Sequence, residues 1–149
     1  MVSGLSASIG TQLAALTFLP PPAIVLLLML LISACTAVTS NVATSSIFLP
    51  VVASLGVEMR VHPLLFMLPV TLTCSLAFIL PVSTPPNAIA FASGRIQIRD
   101  MATHGLAMTG IGVVLVFGAL YGWGRGLFEL GSFPEWAENF GAAAATAAR

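Results

Sequence analysis

Charged residues are scarce in this chain, and lysine is absent altogether. Only 7% of its 149 residues are charged, the formal net charge is zero, and 58% are hydrophobic. Because a soluble domain carries about 25% charged residues, this composition predicts an integral membrane protein. The lack of a basic patch excludes nucleic acid and an electrostatic membrane-surface anchor as expected partners.

The residue patterns of common enzyme sites are missing as well. Cys35 and Cys74 lie inside apolar runs, where packing is expected rather than a disulfide or a metal site. His62 and His104 have no third ligand beside them, so these histidines are not predicted to form a metal site. No Ser-His-Asp, Cys-His, P-loop or dinucleotide-binding pattern occurs. The chain is therefore not predicted to be an enzyme, and no cofactor is expected.

Two uncharged polar islands, at residues 36–46 and 81–87, interrupt the apolar sequence. In hydrocarbon, irregular backbone survives only where it is buried in protein or lines a wet cavity. A single island more often serves helix packing or marks a proline kink. Two islands that both contain Asn and Thr favour a solute site at mid-membrane, built from broken helices, which is typical of a transporter.

The first island predicts a re-entrant hairpin over residues 20–57. The apolar run 23–35 would be about 20 Å long as a helix, whereas the hydrocarbon core is about 30 Å thick. The chain is therefore expected to turn back at a tip around residues 40–43. One long kinked helix through 23–55 is the alternative, because Ser and Thr can bond the carbonyl one turn back and stay helical. Residues 1–19, with apolar side chains at helical spacing, predict an amphipathic interfacial helix.

The second island predicts a broken transmembrane helix over residues 63–99, with halves at about 64–80 and 88–98. Residues before proline are pushed out of the α region, so Thr84 and Pro85 are expected to be extended. Residues 104–128 are predicted to form the last transmembrane helix, in which four glycines (Gly105, Gly110, Gly112 and Gly118) allow close helix packing.

The predicted fold is thus an all-α integral membrane protein with a re-entrant hairpin, a broken transmembrane helix and one full C-terminal transmembrane helix. Residues 129–149 are expected to be an exposed tail. Arg95 and Arg99 share one short connection, which favours the cytoplasmic side for that connection. The open end of the hairpin and the C-terminus would then both face outside.

The break in the hairpin offers neutral ligands for both an ion and an anion. The carbonyl end of the first arm attracts a cation, and the N–H end of the second arm attracts an anion. Thr36, Thr39 and Asn41 add oxygens suited to Na⁺. Ser40, Asn41 and the backbone around Val42 can donate to a carboxylate.

The second break adds backbone carbonyls at Ser83 and Thr84, and Asn87 is expected to cap the following half-helix. Cation and anion sites side by side, without fixed charge, suit a symporter whose ion helps to neutralise an anionic substrate.

The motif Thr-Ser-Asn-Val-Ala-Thr at 39–44, with Ile-Phe-Leu-Pro at 47–50, resembles the divalent anion:sodium symporter family. Its animal members include the sodium-coupled dicarboxylate and citrate transporters. The resemblance strengthens at 80–89, which read Leu-Pro-Val-Ser-Thr-Pro-Pro-Asn-Ala-Ile. It continues through Trp-Gly-Arg at 123–125 to Phe-Pro-Glu-Trp at 133–136, and so extends over roughly residues 3–137.

This resemblance implies an elevator-type homodimer of two inverted repeats that carries di- or tricarboxylates with Na⁺. The chain is similar only to the C-terminal portion of the second repeat. The implied substrate contacts are Ser40, Asn41, Val42, Thr84 and Pro85. The implied sodium ligands are Thr36, Thr39, Asn41 and Ser83.

Two positions depart from the family pattern. Ala37 stands where the motif often has glutamate, which puts the sodium site in question, and Val42 replaces a threonine, as in some animal members. We expect the C-terminal portion of a di- or tricarboxylate symporter of the plasma membrane, with half of the substrate site and one sodium site, inactive alone. The alternative is a truncated, non-transporting isoform that binds and regulates full-length subunits. A small oligomeric pore is disfavoured, because the hairpin would expose polar backbone to lipid.

Overall fold

The computed structural model describes residues 19–81 and 83–137, and all regular structure in this part is helical. Its helices are α1 (Pro21–Val38), α2 (Asn41–Glu58), α3 (Leu64–Cys74), α4 (Pro85–Ala92) and α5 (Ile98–Ala119). Helix α5 continues through a π-helical segment (Leu120–Gly124) and a last turn (Arg125–Leu127). The interfacial helix predicted for residues 1–19 falls, but for its last residue, outside the described part.

Three helices are long and apolar enough to cross a membrane: α1, α2 and the continuous helix Ile98–Leu127. Together with the absence of strands from the described residues, this confirms the prediction of an all-α membrane fold.

Helices α1 and α2 form a hairpin rather than one kinked helix. Only Thr39 and Ser40 separate them, and both are extended, with φ −124° and ψ 168° at Thr39 and φ −71° and ψ 140° at Ser40. The open ends of the two arms meet, because Pro21 and Arg60 line the same cavity. Pro50 lies inside α2 without ending it.

Each arm of the hairpin has 18 residues, or about 27 Å of helix. The arms are longer than the apolar runs 23–35 and 47–57 because the hydroxyl-rich flanks are helical too. Their side chains bond carbonyls of the preceding turn, as Ser45 Oγ does with Val42 O at 3.0 Å. Re-entrant placement in the bilayer stays a prediction.

Helix α3 packs against both arms of the hairpin and lies parallel to α1. Thr36 of α1 bonds the Cys74 carbonyl at one end of α3, while Pro21 and Leu65 line one cavity at the other end. The core between the three helices consists of side chains at most 2% exposed: Ile24, Leu28, Ile32, Val52, Leu55, Phe66 and Val70.

The broken helix exists, but its halves differ from the predicted 64–80 and 88–98. The first half ends at Cys74, where the N–H groups of Ser75 and Leu76 bond carbonyls three residues back. The second half begins at Pro85, because proline suits the first turn of a helix, and ends at Ala92. Thr84 is extended as predicted (φ −143°, ψ 150°), whereas Pro85 is already helical.

The last helix begins at Ile98 rather than at residue 104. Two of its glycines permit close packing: a Cβ on Gly105 would collide with the Phe78 carbonyl, and one on Gly112 would lie 2.9 Å from the Leu76 side chain. At Gly110 and Gly118 a Cβ would meet nothing within 4 Å, so the packing prediction was wrong for these two within the described part.

Residues 129–137 were expected to be an exposed tail, and five of these nine residues are exposed, but two side chains are buried. Glu129 has a left-handed backbone (φ 50°), and the Leu130 N–H bonds the Arg125 carbonyl at 3.0 Å, which turns the chain back. Leu130 and Ala137 are buried, and Trp136 lies edge-on to His62 with 6.0 Å between ring centroids. The prediction fails for Leu130 and Ala137 because it followed the local charge and ignored the apolar side chains. Residues 138–149 lie outside the described residues.

The C-terminal end of α5 and the open end of the hairpin lie at the same end of the bundle, since Arg125 and Pro21 line one cavity. Arg95 and Arg99 lie at the opposite end of α5. For the end of α5 this agrees with the expected relative placement, whereas the C-terminus lies outside the described residues and the cytoplasmic end stays a prediction.

Candidate functional site

The candidate site lies where the tip of the hairpin meets the second break. The carbonyl end of α1 is only partly satisfied within its own helix. The Cys35 carbonyl accepts from both the N–H (3.1 Å) and the hydroxyl (2.7 Å) of Thr39. The Ala37 carbonyl accepts a 2.6 Å hydrogen bond from the Ser83 hydroxyl, which belongs to the second break. This bond joins the two islands.

Thr36 connects three elements and is fully buried. Its Oγ1 lies 2.8 Å from the Cys74 carbonyl oxygen at the end of α3 and 2.9 Å from Asn41 Oδ1 at the start of α2. A hydroxyl carries one proton, and a carbonyl can only accept. If that proton goes to Cys74, the contact with Asn41 joins two lone pairs, unless the amide is reversed so that its NH₂ donates.

The hydroxyls of Thr39 and Thr44 likewise have fewer protons than hydrogen-bond contacts. Their hydroxyl oxygens lie 2.6 Å apart. The Thr39 proton is directed at the Cys35 carbonyl, and the Thr44 proton at the Ser40 carbonyl, 3.0 Å away. Two protons therefore serve three contacts, and either hydroxyl can donate in the short one. An uncharged cluster with more acceptor oxygens than protons matches the oxygen ligands that hard cations prefer.

The start of α2 presents the opposite polarity. The Ser40 hydroxyl caps the helix by accepting from the Ala43 N–H at 3.3 Å. Ser40 and Val42 are exposed and Asn41 is half-buried. The N–H groups of the first turn point away from the helix, and such groups bind anions.

The second break is held by Asn87, although not as the predicted cap. The N-cap position of α4 is Thr84, and its side chain makes no capping bond. Asn87 instead donates its amide to the carbonyls of Ala77 (2.9 Å) and Leu80 (3.2 Å). The prediction was wrong because those carbonyls, which lack helical partners in the segment after α3, compete for the amide donors.

The structure brings together four of the predicted residues and leaves the others at the edge. Thr36, Thr39 and Asn41 lie around the tip, and Ser83 joins them through the Ala37 carbonyl. Ser40 and Val42 lie on the open face of the tip. Thr84, which is half-buried, and Pro85, which is exposed, follow Ser83 in the chain but make no hydrogen bond to the tip within the described residues.

The residue pattern did not single out several groups of this site. Thr44 is 3% exposed and contacts Thr39, and its position one turn after Ser40 is a signal that could have identified it. The carbonyls of Ala37 and Cys74 carry no signal in residue type, because every residue has a carbonyl. Thr73 is fully buried, and its hydroxyl has no hydrogen-bond partner among the described residues.

A hairpin and a broken helix whose breaks meet, with helix carbonyl ends and N–H ends close together, are typical of the broken-helix class of membrane transporters. Residues 1–130 match the family model of the sodium:sulfate symporter transmembrane region, and the chain belongs to this family. The resemblance in the two motifs is thereby confirmed.

Similar proteins include cotransporters named for Na⁺ and for dicarboxylate or citrate. The chain is 51% identical over 138 residues to human Na(+)/dicarboxylate cotransporter 3, which is 93% of this chain and 23% of that protein. It is 45% identical to the mouse Na(+)/citrate cotransporter, with 92% of this chain and 24% of that protein matched. The chain is 50% identical to human solute carrier family 13 member 2, with 92% of this chain and 23% of that protein matched. The chain thus spans about a quarter of the length of these relatives.

Proposed function

We propose that this chain forms the C-terminal part of a Na⁺-coupled di- or tricarboxylate symporter and supplies one sodium site and half of a substrate site. The observation that carries the proposal is the shortage of protons at the hairpin tip, where the hydroxyls of Thr36, Thr39 and Thr44 face more acceptors than they can serve. The relatives, which are named for sodium and for dicarboxylate or citrate, agree with it.

The proposed sodium site uses neutral oxygens only: Thr36, Thr39, Asn41 and Ser83, with the carbonyls at the end of α1 around them. Opposed lone pairs are unfavourable in a buried site, because burying a polar group costs free energy unless it is paired. A cation between them converts each unpaired oxygen into a ligand. The partial negative charge of the α1 carbonyl end adds to the attraction.

The proposed substrate half-site lies on the open face of the same tip. Ser40, Asn41 and the N–H groups near Val42 donate to a carboxylate, with Thr84 and Pro85 shaping the neighbouring surface. Sodium binds at the carbonyl end of one arm and the carboxylate at the N–H end of the other, so the two charges lie side by side. Binding of Na⁺ therefore raises the affinity for the anion, which is the coupling that a symporter needs. We further propose a homodimer in the plasma membrane for the full-length transporter.

A chimera tests this function directly. The matched segment of human Na(+)/dicarboxylate cotransporter 3 is replaced by this chain, and Na⁺-driven succinate uptake is measured. We expect uptake, and a decrease of about tenfold or more in apparent Na⁺ affinity for Thr39→Val. The control is Ser54→Ala, since the Ser54 hydroxyl is exposed and bonds only the Pro50 carbonyl of its own helix.

Two results would contradict the proposal. Uptake that does not depend on Na⁺ would remove the coupling, and equal effects of both variants would remove the sodium site from the tip. An inactive chimera, combined with altered uptake by an intact relative co-expressed with the chain, would instead favour the regulatory alternative.

A further inference from the structure

A second polar cavity lies at the end of the bundle opposite the hairpin tip. Its volume is about 320 Å³, and it is enclosed by the open end of the hairpin, the start of α3 and the end of α5. The lining residues are Pro21, Pro22, Arg60, Val61, His62, Leu65, Tyr121, Arg125, Leu130, Gly131, Ser132 and Phe133. The cavity shares none of them with the proposed transport site, so a ligand bound there is independent of the proposed function.

Arg60 occupies a backbone position that normally selects glycine. The Val61 N–H bonds the Gly56 carbonyl at 2.9 Å and the Arg60 N–H bonds the Val57 carbonyl at 3.1 Å, which is a Schellman end to α2. In this motif the residue at Arg60 is left-handed, and its φ is 53°. A side chain there costs stability relative to glycine. Arg60 lines the cavity, and binding of a ligand by its guanidinium would account for an arginine at this position despite the cost in stability.

Arg125 is held against the wall of the same cavity. Its Cζ lies 5.6 Å from the centroid of the Tyr121 ring, within the range of a cation–π contact. The Tyr121 ring in turn packs on Phe117 at 4.8 Å. The Tyr121 hydroxyl is buried and has no hydrogen-bond partner among the described residues. A buried donor without a partner calls for an explanation.

The charge of the lining is entirely positive. Arg60 and Arg125 both line the cavity, and no lining residue is acidic. Glu58 and Glu129 neighbour these arginines in sequence but do not line the cavity. Two guanidinium groups at one space form a set of donors for an oxyanion, and the Tyr121 side chain lines the same space.

The position of the cavity indicates which kind of anion it binds. Trp123 and Trp136 are exposed near this end of the bundle, and tryptophans at the ends of membrane helices lie at the level of lipid headgroups. Arginine forks match the geometry of phosphate. The apolar part of the lining, including Leu65 and Phe133, suits an oxyanion that carries an organic group.

We propose that this cavity binds a phosphate oxyanion through Arg60 and Arg125, with the Tyr121 hydroxyl as a further donor. The oxyanion comes from the headgroup of an anionic phospholipid or from free phosphate. The site is a second anion site of the chain, and it requires neither Na⁺ nor a carboxylate.

The full chain carrying Trp123→Phe tests the proposal, because Trp136 then remains as the sole tryptophan. Trp136 contacts His62, which lines the cavity, so its fluorescence reports on occupancy. The protein is held in maltoside micelles, which contain no phosphate. One arm titrates inorganic phosphate, and the other titrates phosphatidylglycerol into the micelles. We expect a saturable change in emission in at least one arm.

Substitutions link the signal to the cavity. Arg125→Gln and Tyr121→Phe each remove a donor, and we expect Arg125→Gln to weaken binding by about tenfold or more. Arg60→Gly removes the charge and suits the left-handed backbone, so it weakens binding while the fold is retained. The matched control is Arg99→Gln, which removes an arginine at the opposite end of α5 and leaves affinity unchanged.

Each outcome either supports or overturns the proposed phosphate site. A response to phosphate alone assigns the site to free phosphate, and a tighter response to phosphatidylglycerol assigns it to the lipid. No saturable response in either arm overturns the proposal. So does a response that Arg99→Gln weakens as much as Arg125→Gln.

Discussion

The hydroxyl of Ser83 donates a 2.6 Å hydrogen bond to the carbonyl oxygen of Ala37, 46 residues earlier in the chain. One residue belongs to the second break and the other to the carbonyl end of α1. At the position of Ala37 the family motif often carries glutamate, yet the group that Ser83 engages here is the main-chain oxygen. The two breaks are therefore joined without that carboxylate.

Ser83→Ala is expected to separate the two breaks. Without this hydroxyl, the Ala37 carbonyl loses its side-chain hydrogen-bond donor. This loss costs about 1 kcal/mol in the free energy of unfolding. Thermal unfolding of the chain in detergent micelles, followed by circular dichroism with and without Na⁺, measures both the stability and the stabilisation by Na⁺. We expect both to decrease.

The control for this prediction is Ser93→Ala. The Ser93 hydroxyl is exposed and bonds the Ala90 carbonyl of the preceding turn. We expect Ser93→Ala to change neither the stability nor the stabilisation by Na⁺ appreciably. If Ser93→Ala and Ser83→Ala were indistinguishable, the bond between the breaks would contribute nothing.

Thr36→Val and Thr73→Val are predicted to change the free energy of unfolding differently, although both residues are fully buried threonines. Valine keeps the shape and removes the hydroxyl. At Thr36 it leaves the Cys74 carbonyl without a donor, which costs about 1–3 kcal/mol. At Thr73 it removes a hydroxyl that has no partner among the described residues, so the free energy of unfolding stays equal or rises.

The two variants are compared by unfolding in the absence of Na⁺. Destabilisation by Thr73→Val would show that its hydroxyl has a partner after all. A neutral Thr36→Val would mean that the link between α1 and α3 does not matter for stability.

The existence of both breaks was predictable because their causes are local. Pro85 disfavours the α region at Thr84, and hydroxyl side chains at the tip of an apolar hairpin offer the backbone other partners. The ends of the helices were less predictable. The first half of the broken helix stops at Cys74, and no proline or glycine near that residue signals its end.

What joins the breaks was not predictable from residue types. Ser83 and Thr36 bond backbone carbonyls of distant residues, and a carbonyl acceptor has no sequence signature. The burial of Leu130, which lines one cavity with His62 and Leu65, likewise depends on residues distant in sequence, which local charge does not report.

Gly105 and Gly110 are predicted to respond oppositely to alanine. A Cβ at Gly105 would run into the backbone of Phe78 and Ile79, which cannot rotate away. Gly105→Ala should therefore lower the free energy of unfolding by about 1–3 kcal/mol. Gly110 lies inside the same helix with nothing within 4 Å of an added Cβ, so Gly110→Ala should raise it by about 1 kcal/mol. Unfolding of the chain in micelles measures both, and destabilisation by Gly110→Ala would contradict the packing described.

His62 is predicted to make the fold less stable in acid. Burial lowers the pKa of His62 from its ordinary 6.5, so the folded chain keeps the imidazole neutral at a pH where the unfolded chain protonates it. Nδ1 also accepts the Leu64 N–H at 3.2 Å, a bond that protonation of Nδ1 would remove. The unfolded state then binds more protons, so stability falls as the pH decreases through 6.5, until the folded form also takes up the proton.

Melting midpoints between about pH 8 and about pH 5 measure the size of this loss. His62→Gln cannot titrate, and its midpoint should therefore decrease less over that range than that of the parent chain. His104→Gln removes the other histidine, which is exposed and bonds the Asp100 carbonyl through Nδ1 at 2.7 Å. A slope that persists in His62→Gln and disappears in His104→Gln would assign the acid sensitivity to the Arg95–Asp100 end of α5 and not to the loop between α2 and α3.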